Sequence, residues 1–277
     1  MKNRPFLKWA GGKRKLLPYI LALFPEDYKD RVYHEPFIGG GALFYEVRPK
    51  QGSINDINRQ LMTFYRVVRN NPDELIEEAK KYAYNKETYY RIRSKFNGSD
   101  LSEIEESALF LYLNKASYNG MYRVNAKGEF NSAFGRFSNP LRNPIIVPEE
   151  RILHLSSLLE NIKIFNGDFS YIEKYSKNED LVYFDPPYQP ISSTAKFTSY
   201  SAAGFSIKDQ ERLRDICLKL DKKGVIFVLS NSYEKSLMEL YRDTDFKIYT
   251  IQAYRCIGSS NISRTKINEI LITNTNI

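Results

Sequence analysis

The chain has 277 residues, with 41 Lys plus Arg against 33 Asp plus Glu, two Cys and two His. That length suits one large domain, or a core carrying one sizeable insertion, and 42% hydrophobic residues are enough to fill it. No run reaches the roughly 18 apolar residues of a membrane span, and no apolar signal segment opens the chain. With only His34 and His154, a multi-histidine metal site or a Ser/His relay has almost no material. The expectation is a soluble, cytoplasmic chain without metal or membrane partner, its Cys217 and Cys256 reduced.

In chain order, the first strong element is the apolar-aromatic run Arg31–Phe37, stopped by Pro36 and Gly39-Gly40-Gly41. Ala42–Val47 reads as a helix, Gly52–Asp56 as a second short strand, and Ile57–Arg69 as a second helix. This β–glycine loop–α–β–α order opens a Rossmann-like, doubly wound α/β sheet. From 61 to 115 the apolar residues recur at helical spacing, as in Leu75, Ile76 and Ala79, then Leu109, Phe110 and Leu113. Ala126-Lys127-Gly128 between Tyr122–Asn125 and Glu129–Asn131 is hairpin grammar, and Pro140, Pro144 and Pro148 punctuate a loop. The α/β rhythm returns with strands Ile162–Phe165 and Leu181–Phe184, helix Ile207–Leu220 and strand Val225–Leu229. A helix at 234–241 and strands near 246–251 and 267–272 close the pattern. The expected division is a sheet domain from 1–60 and 161–277, interrupted by a helical and hairpin insertion over 61–160.

The net charge of +8 is unevenly placed. Residues 1–31 carry a net +5, residues 111–145 a net +4 and residues 252–268 a net +3, which leaves the remainder at −4. A solvated basic face is one reading. Three basic segments on an otherwise acidic chain favour a shared nucleic-acid surface.

Four constellations carry chemistry. Asp185-Pro186-Pro187-Tyr188 follows a buried strand, at the carboxyl edge where open α/β sheets bind ligands. Its prolines fix φ and leave outward carbonyls beside a carboxylate and an aromatic ring. By average residue usage, chance supplies this tetrapeptide in on the order of one such chain in a thousand. The set fits an exocyclic amine. The N6 nitrogen of adenine, donating to Asp185 and the Pro186 carbonyl, can pyramidalise and recover its lone pair, while Tyr188 stacks on the base. Second, Glu35-Pro36-Phe37-Ile38-Gly39-Gly40-Gly41, with Asp56 after the second strand, places glycines for close ligand approach and an acid for ribose hydroxyls. Phe44 breaks the dinucleotide G-x-G-x-x-G spacing, so a tight turn and an NAD site both stay open here. Third, the sole Trp of the chain sits in Phe6-Leu7-Lys8-Trp9-Ala10-Gly11-Gly12-Lys13-Arg14, packing on the core or lining a nucleotide pocket. Fourth, Asn114–Asn125 and Gly128–Arg136 combine Tyr118, Asn119, Arg123, Asn125 and Arg136, side chains suited to reading base edges and wedging into a stack.

In this order the motifs resemble the Dam family of N6-adenine DNA methyltransferases, alpha class, which includes modification enzymes of GATC-recognising restriction systems. The resemblance covers nearly the whole chain: residues 6–13, 35–41, Asn55–Asn58, 118–125, 128–131, 134–136, 185–188 and Ser259-Ser260-Asn261. It implies a methyltransferase sheet with an inserted target-recognition domain, S-adenosyl-methionine as cofactor and double-stranded DNA as partner. A cognate restriction endonuclease is a candidate second partner. Carried over by position, Trp9, Ala10, Lys13, Phe37, Gly39 and Gly41 would line the cofactor site. Asp56 would hold its ribose, Asp168 and Phe169 its adenine, and Asp185 would lie between cofactor and target. Lys8, Arg14, Tyr118, Asn119, Arg123, Asn125, Arg136 and Arg264 would face DNA, and Phe197 and Tyr200 sit in a candidate lid at 189–205. Two departures touch specificity: Ser132-Ala133 replaces Val-Pro, and Ile262-Ser263 replaces a Gly pair. Rival readings are a cytosine-N4 or RNA amino-methyltransferase and a catalytically silent DNA-binding relative. Asp185 disfavours the first and the intact motifs disfavour the second.

Overall fold

The computed structural model describes residues 5–9, 11–135, 143–188, 205–256 and 264–275, with the side chains of 253–256 and 264–267 left aside. Ala10, Arg136, the lid with Phe197 and Tyr200, Ser259-Ser260-Asn261, Ile262-Ser263 and the Arg264 side chain therefore lie outside the described residues.

Seven strands form one sheet: β1 (Tyr33–Glu35), β2 (Gly52–Ile54), β3 (Ile162–Ile164), β4 (Leu181–Phe184), β5 (Ile226–Ser232), β6 (Lys247–Cys256) and β7 (Arg264–Thr273). Their spatial order is β3-β2-β1-β4-β5-β7-β6. The strands β3 to β5 pair in parallel, while β7 runs antiparallel to both β5 and β6. The chain thus steps outward from β1 to β3 and then returns to place β4 on the other side of β1. The carboxyl ends of β1 and β4 lie side by side at that reversal, with Tyr33 opposite Leu181 and His34 opposite Val182.

Alternation along the inner strands divides the core between the two faces of the sheet. Leu181, Tyr183, Val228 and Leu271 join one cluster, and Val182, Phe184, Phe227, Leu229, Ile270 and Ile272 join the other. Burial on both faces explains why these strands read as unbroken apolar runs. The second face is covered by α8 (Tyr171–Tyr175), α9 (Ile207–Lys222) and α10 (Lys235–Leu240). A capping box between Ser206 and Asp209 starts α9.

On the first face lie α1 (Leu17–Leu21), α2 (Ala42–Val47), α3 (Arg59–Asn70), α4 (Pro72–Lys80), α5 (Lys86–Gly98), α6 (Glu103–Ala116) and α7 (Glu149–Leu159). Local chemistry sets the breaks between the middle helices. Pro72 opens α4, while the side chains of Asn85 and Ser102 accept N3 amides at the starts of α5 and α6. Helix α6 is buried from Glu106 to Asn114 and is wrapped by its neighbours α3, α4 and α5. The same cluster includes Tyr122 and Phe130 of the predicted hairpin, so helices, hairpin and sheet face share one continuous core. The hairpin itself is held by the isolated bridges Ser117–Phe134 and Val124–Phe130.

Three helices departed from expectation, the first of them α1, with only 5 residues. The three prolines masked α7, yet Pro148 precedes its first turn and Glu149-Glu150 sit where acids favour a helix start. Helix α8 is too short, at 5 residues, to show periodicity. A buried chain also links Ser53, His34 and Asp180, at 2.8 and 3.0 Å, with Tyr171 bonded to Ser53 at 2.9 Å. It has relay composition, which two histidines had made improbable from sequence. All three groups are at most 6% exposed, so the chain ties β1, β2 and the turn before β4 together and offers no entry to a substrate.

Gly52 sits at φ 148°, and a Cβ there would lie 1.7 Å from the Tyr33 carbonyl oxygen. Gly52→Ala is expected to cost more than about 3 kcal/mol, because backbone and not a flexible side chain must move. Equilibrium denaturation measures this, and a loss below 1 kcal/mol would contradict the packing of β1 against β2 described above (threshold about twice thermal energy).

Candidate active site

The site is assembled from the loops that leave β1, β2, β3 and β4. Asn55 gathers three of them: its Nδ2 donates to the carbonyls of Pro36 and Gly167, both at 3.0 Å, and its backbone carbonyl accepts from Ile38. The glycine loop is tight because Trp9 lies against it. A Cβ on Gly39 or Gly40 would come within 2.9 Å of Trp9 side-chain atoms. Gly39 (φ 47°) and Gly41 (φ 67°) take the left-handed region, the latter as the cap that begins α2. The other face of Trp9 stacks on Tyr122 at 5.1 Å. The sole Trp therefore packs on the core and lines the loop at once, and it joins the β1 loop to the hairpin.

Asp56 ends the second strand with its carboxylate turned back to the glycine loop. Oδ2 accepts the Gly39 N–H at 3.1 Å and Oδ1 the Asn58 N–H at 3.0 Å. Burial outweighs these donors and pushes its pKa up to about 6. Phe37 and Phe169 meet at 5.2 Å, with Phe205 against both. Asp168 accepts from the Ser170 N–H and from Arg212, at 3.0 and 2.8 Å. Burial pushes the Asp168 carboxyl up, but its Ser170 and Arg212 donors outweigh burial and hold it below the usual range. The Arg212 guanidinium also lies 5.0 Å over the Phe169 ring.

At the end of β4, Asp185 is bracketed by Lys13 and Ser230. Lys13 Nζ lies 2.6 Å from Oδ1, and Ser230 donates to the same oxygen at 3.1 Å. Ser230 is itself linked to Tyr183 at 2.9 Å. Lys13 is 6% exposed and Asp185 22%, so the carboxylate can still meet a ligand. Burial works to lower the Lys13 pKa, but Asp185, Tyr183 and Glu269 outweigh it and hold the ammonium above its ordinary value. Burial raises Asp185, against the pull of Lys13. The ammonium also donates to the Gly11 carbonyl at 2.9 Å and sits 4.5 Å over the Tyr188 ring. Pro186 is buried and Pro187 exposed. The Tyr188 hydroxyl donates to Glu269 on β7 at 2.5 Å.

Lys8 joins the first two basic segments. Its backbone pairs with the Asn114 amide, and its stem crosses Gly120, where a Cβ would lie 2.2 Å from Lys8 Cδ. Tyr118 is 43% exposed, Asn119 takes a left-handed φ of 54°, and Arg14 and Arg123 are exposed. The Asn125 amide is committed to the hairpin turn, accepting from the Lys127 and Glu129 N–H groups and donating to the Glu129 carboxylate. Ser132 is 5% exposed and its hydroxyl donates to the Met121 carbonyl, so this departure from the Val-Pro pattern cross-links the hairpin. Burial, with Arg151 and Lys8 nearby, brings Lys115 down to about 7.

Sequence reasoning missed Ser230, Glu269, Arg212 and Asn55. The first two had a legible signal, as polar residues inside the apolar runs 225–229 and 267–272 or at their end. Arg212 had none, since it comes from a helix surface distant in sequence. Among the described residues no group of three or more acids, His or Cys could hold a metal, and no helix is long and apolar enough to cross a membrane.

The strand order, the antiparallel β7 beside β5, the glycine loop after β1 and the Asp-Pro-Pro-Tyr turn after β4 define a Rossmann-like methyltransferase. Residues 9–257 match the D12 class N6 adenine-specific DNA methyltransferases, and the chain belongs to that family. It is 46% identical to the Type II methyltransferase M1.LlaDCHI of Lactococcus lactis subsp. cremoris, across 98% of this chain and 95% of that one. It is 42% identical to the Type II methyltransferase M.MjaIII of Methanocaldococcus jannaschii, across 99% and 100%. Against the DNA adenine methylase of Escherichia coli the identity is 34%, across 98% and 95%.

The single Trp gives a clean optical reporter of the loop geometry. Gly40→Ala should push Trp9 off the loop, shifting its emission to the red and costing about 1–3 kcal/mol of stability. Unchanged emission and stability would show that the contact is slack.

Proposed function

We propose that this chain binds S-adenosyl-methionine at the ends of β1, β2 and β3 and methylates N6 of an adenine extruded from double-stranded DNA in GATC. The observation that carries the reading is the parallel pairing of β1 and β4, from whose carboxyl ends the glycine loop and the Asp185 turn leave side by side.

The residues present suit an adenosyl group. The Asp56 carboxylate keeps acceptor capacity beyond its backbone N–H donors for the ribose hydroxyls. Phe37 and Phe169 supply apolar surface for a purine, and Asp168 an acceptor held ionised for an amino group. Trp9 and Lys13 approach from the N-terminal side, at the glycine loop and at Asp185, and we assign Ala10 to the cofactor with them. When bound, the cofactor supplies an electrophilic methyl on a sulfonium.

Asp185 and the Pro186 carbonyl accept the two N6 hydrogens, restoring lone-pair density on nitrogen and aiming it at the methyl. Tyr188 stacks on the base, and Pro187 stiffens the turn. Lys13 at present gives Asp185 a cationic N–H over the Tyr188 ring, so it must withdraw as the amine enters. Once N6 carried the methyl group, the proton it sheds would pass to Asp185, whose burial raises its proton affinity.

Residues 61–160 serve as the target-recognition part, with 1–60 and 161–277 as the catalytic part. Lys8, Arg14, Tyr118, Asn119, Arg123, Asn125, Arg136 and Arg264 face the duplex. Recognition by Asn125 requires it to leave Glu129. The chain works on cytoplasmic, nucleoid DNA, and a cognate endonuclease is a partner to seek in its gene neighbourhood.

Asp185→Ala should lower single-turnover methylation by at least about a hundredfold while leaving DNA affinity within a few fold. A near-normal rate would sink the assignment. Single-molecule mapping of N6-methyladenine on unmethylated DNA tests GATC, and modification elsewhere would overturn that specificity.

Cofactor affinity should also depend on pH through Asp56. Its ionised form, present above about pH 6, accepts the ribose hydroxyls, so affinity falls as pH drops through 6. Fold stability responds in the opposite sense. A carboxyl raised above its unfolded value costs stability at high pH, and that cost is relieved on acidification below 6. Calorimetric titration at several pH values should show the fall for the natural chain and a flat, weak profile for Asp56→Asn. A similar acid-side fall in Asp56→Asn would overturn this assignment.

A further inference from the structure

β7 carries one acid inside its apolar run, Glu269, flanked by Ile270, Leu271 and Ile272 and itself 4% exposed. It pairs opposite Ser232, the last residue of β5, and Ile251 on β6, at the carboxyl edge of the sheet. Sheet packing alone gives no reason for a carboxylate there, because burying one is costly unless it is strongly bonded. Its Oε2 accepts the Tyr188 hydroxyl at 2.5 Å, the length of a charge-assisted O–H···O⁻ bond. The face of the same ring lies under Lys13 Nζ, 4.5 Å from its centre, and the same ammonium pairs with Asp185.

We propose that Glu269 is a positioning residue for the methyl transfer, tying the Tyr188 hydroxyl to the sheet so that the ring presents a fixed face to the extruded adenine. The inference rests on Tyr188 being the stacking ring. Tyr188 leaves the sheet just after two prolines, so its backbone end is stiff. The bond to Glu269 adds a second anchor at the far end and sets the ring's tilt. The carboxylate also draws the phenolic proton and makes the ring face more negative. That favours the ammonium over it now, and the positive charge that reaches N6 as the methyl bond forms. Glu269 thus acts on the chemistry through Tyr188 and touches neither the target base nor the methyl donor.

The test uses the full-length protein, saturating S-adenosyl-methionine and a duplex carrying the mapped target, with 2-aminopurine at the target adenine for the stacking readout. Y188F and E269L should each slow single-turnover methylation roughly tenfold and raise 2-aminopurine emission, with DNA affinity within about twofold. The Y188F/E269L double variant should be no slower than the slower single variant, because both remove one interaction. An E269L loss that is equally large in the Y188F background would mean a general structural effect and overturn the proposal, as would a Y188F rate equal to the natural chain's. Thermal unfolding identifies whether E269L is folded, and if it is not, the same coupling is read with E269Q. Y188A separates the two levels. A normal rate and quenched 2-aminopurine in Y188A would remove Tyr188 from the stack and the underlying reading with it. A slow Y188A beside a normal Y188F would spare that reading and refute the role of Glu269.

Discussion

Parallel pairing between β1 and β4, with Tyr33 opposite Leu181 and His34 opposite Val182, is the constraint on which the rest depends. Neighbouring parallel strands end at the same edge, so the loop after Glu35 and the turn after Phe184 emerge together. Without that adjacency the glycine loop and Asp185, about 150 residues apart in sequence, would have no reason to share a site. The buried Ser53–His34–Asp180 chain reinforces the same seam from within, since His34 bonds both the neighbouring strand and the turn that leads into β4.

The carboxyl edge of the sheet is crowded with acids: Glu35, Asp56, Asp185 and Glu269. Burial raises the first three above the ordinary carboxylate range. Glu35 is relieved by the Tyr33 hydroxyl at 2.9 Å, Asp56 by backbone N–H groups, Asp185 by Lys13 and Ser230, and Glu269 by Tyr188. A buried ammonium in this setting is held by the acids around it, which explains how Lys13 stays charged at 6% exposure. Such an edge suits the cationic sulfonium and the amine donors of the reaction we propose.

Much of this was legible before the fold was known. The strand at 181–184 and the helix Ala42–Val47 follow from local patterning, and the strand expected at 225–229 runs from Ile226 to Ser232. Asp-Pro-Pro-Tyr stands out because its residue types are rare together, and the structure places it directly after β4. Helix α7 was missed because prolines are strong local punctuation, and only its docking on α3 and β3 shows where punctuation ends. The breadth of the shared core was also invisible. Tyr122 and Phe130 look like hairpin surface until Trp9 and Phe110 are seen against them.

By itself the sequence determined the order of elements, the reactive tetrapeptide, the glycine loop and the uneven distribution of the +8 charge, because each depends on residues close together in the chain. Tertiary structure alone decided which groups face one another. Lys13 meets Asp185 and Tyr188, Glu269 meets Tyr188, Arg212 meets Asp168, and Lys8 crosses Gly120. Those contacts span 44 to 175 residues, and no local pattern encodes a partner that far away. It is the folding of the strands to one edge that brings them within a hydrogen bond's reach, and burial there that makes their charges matter.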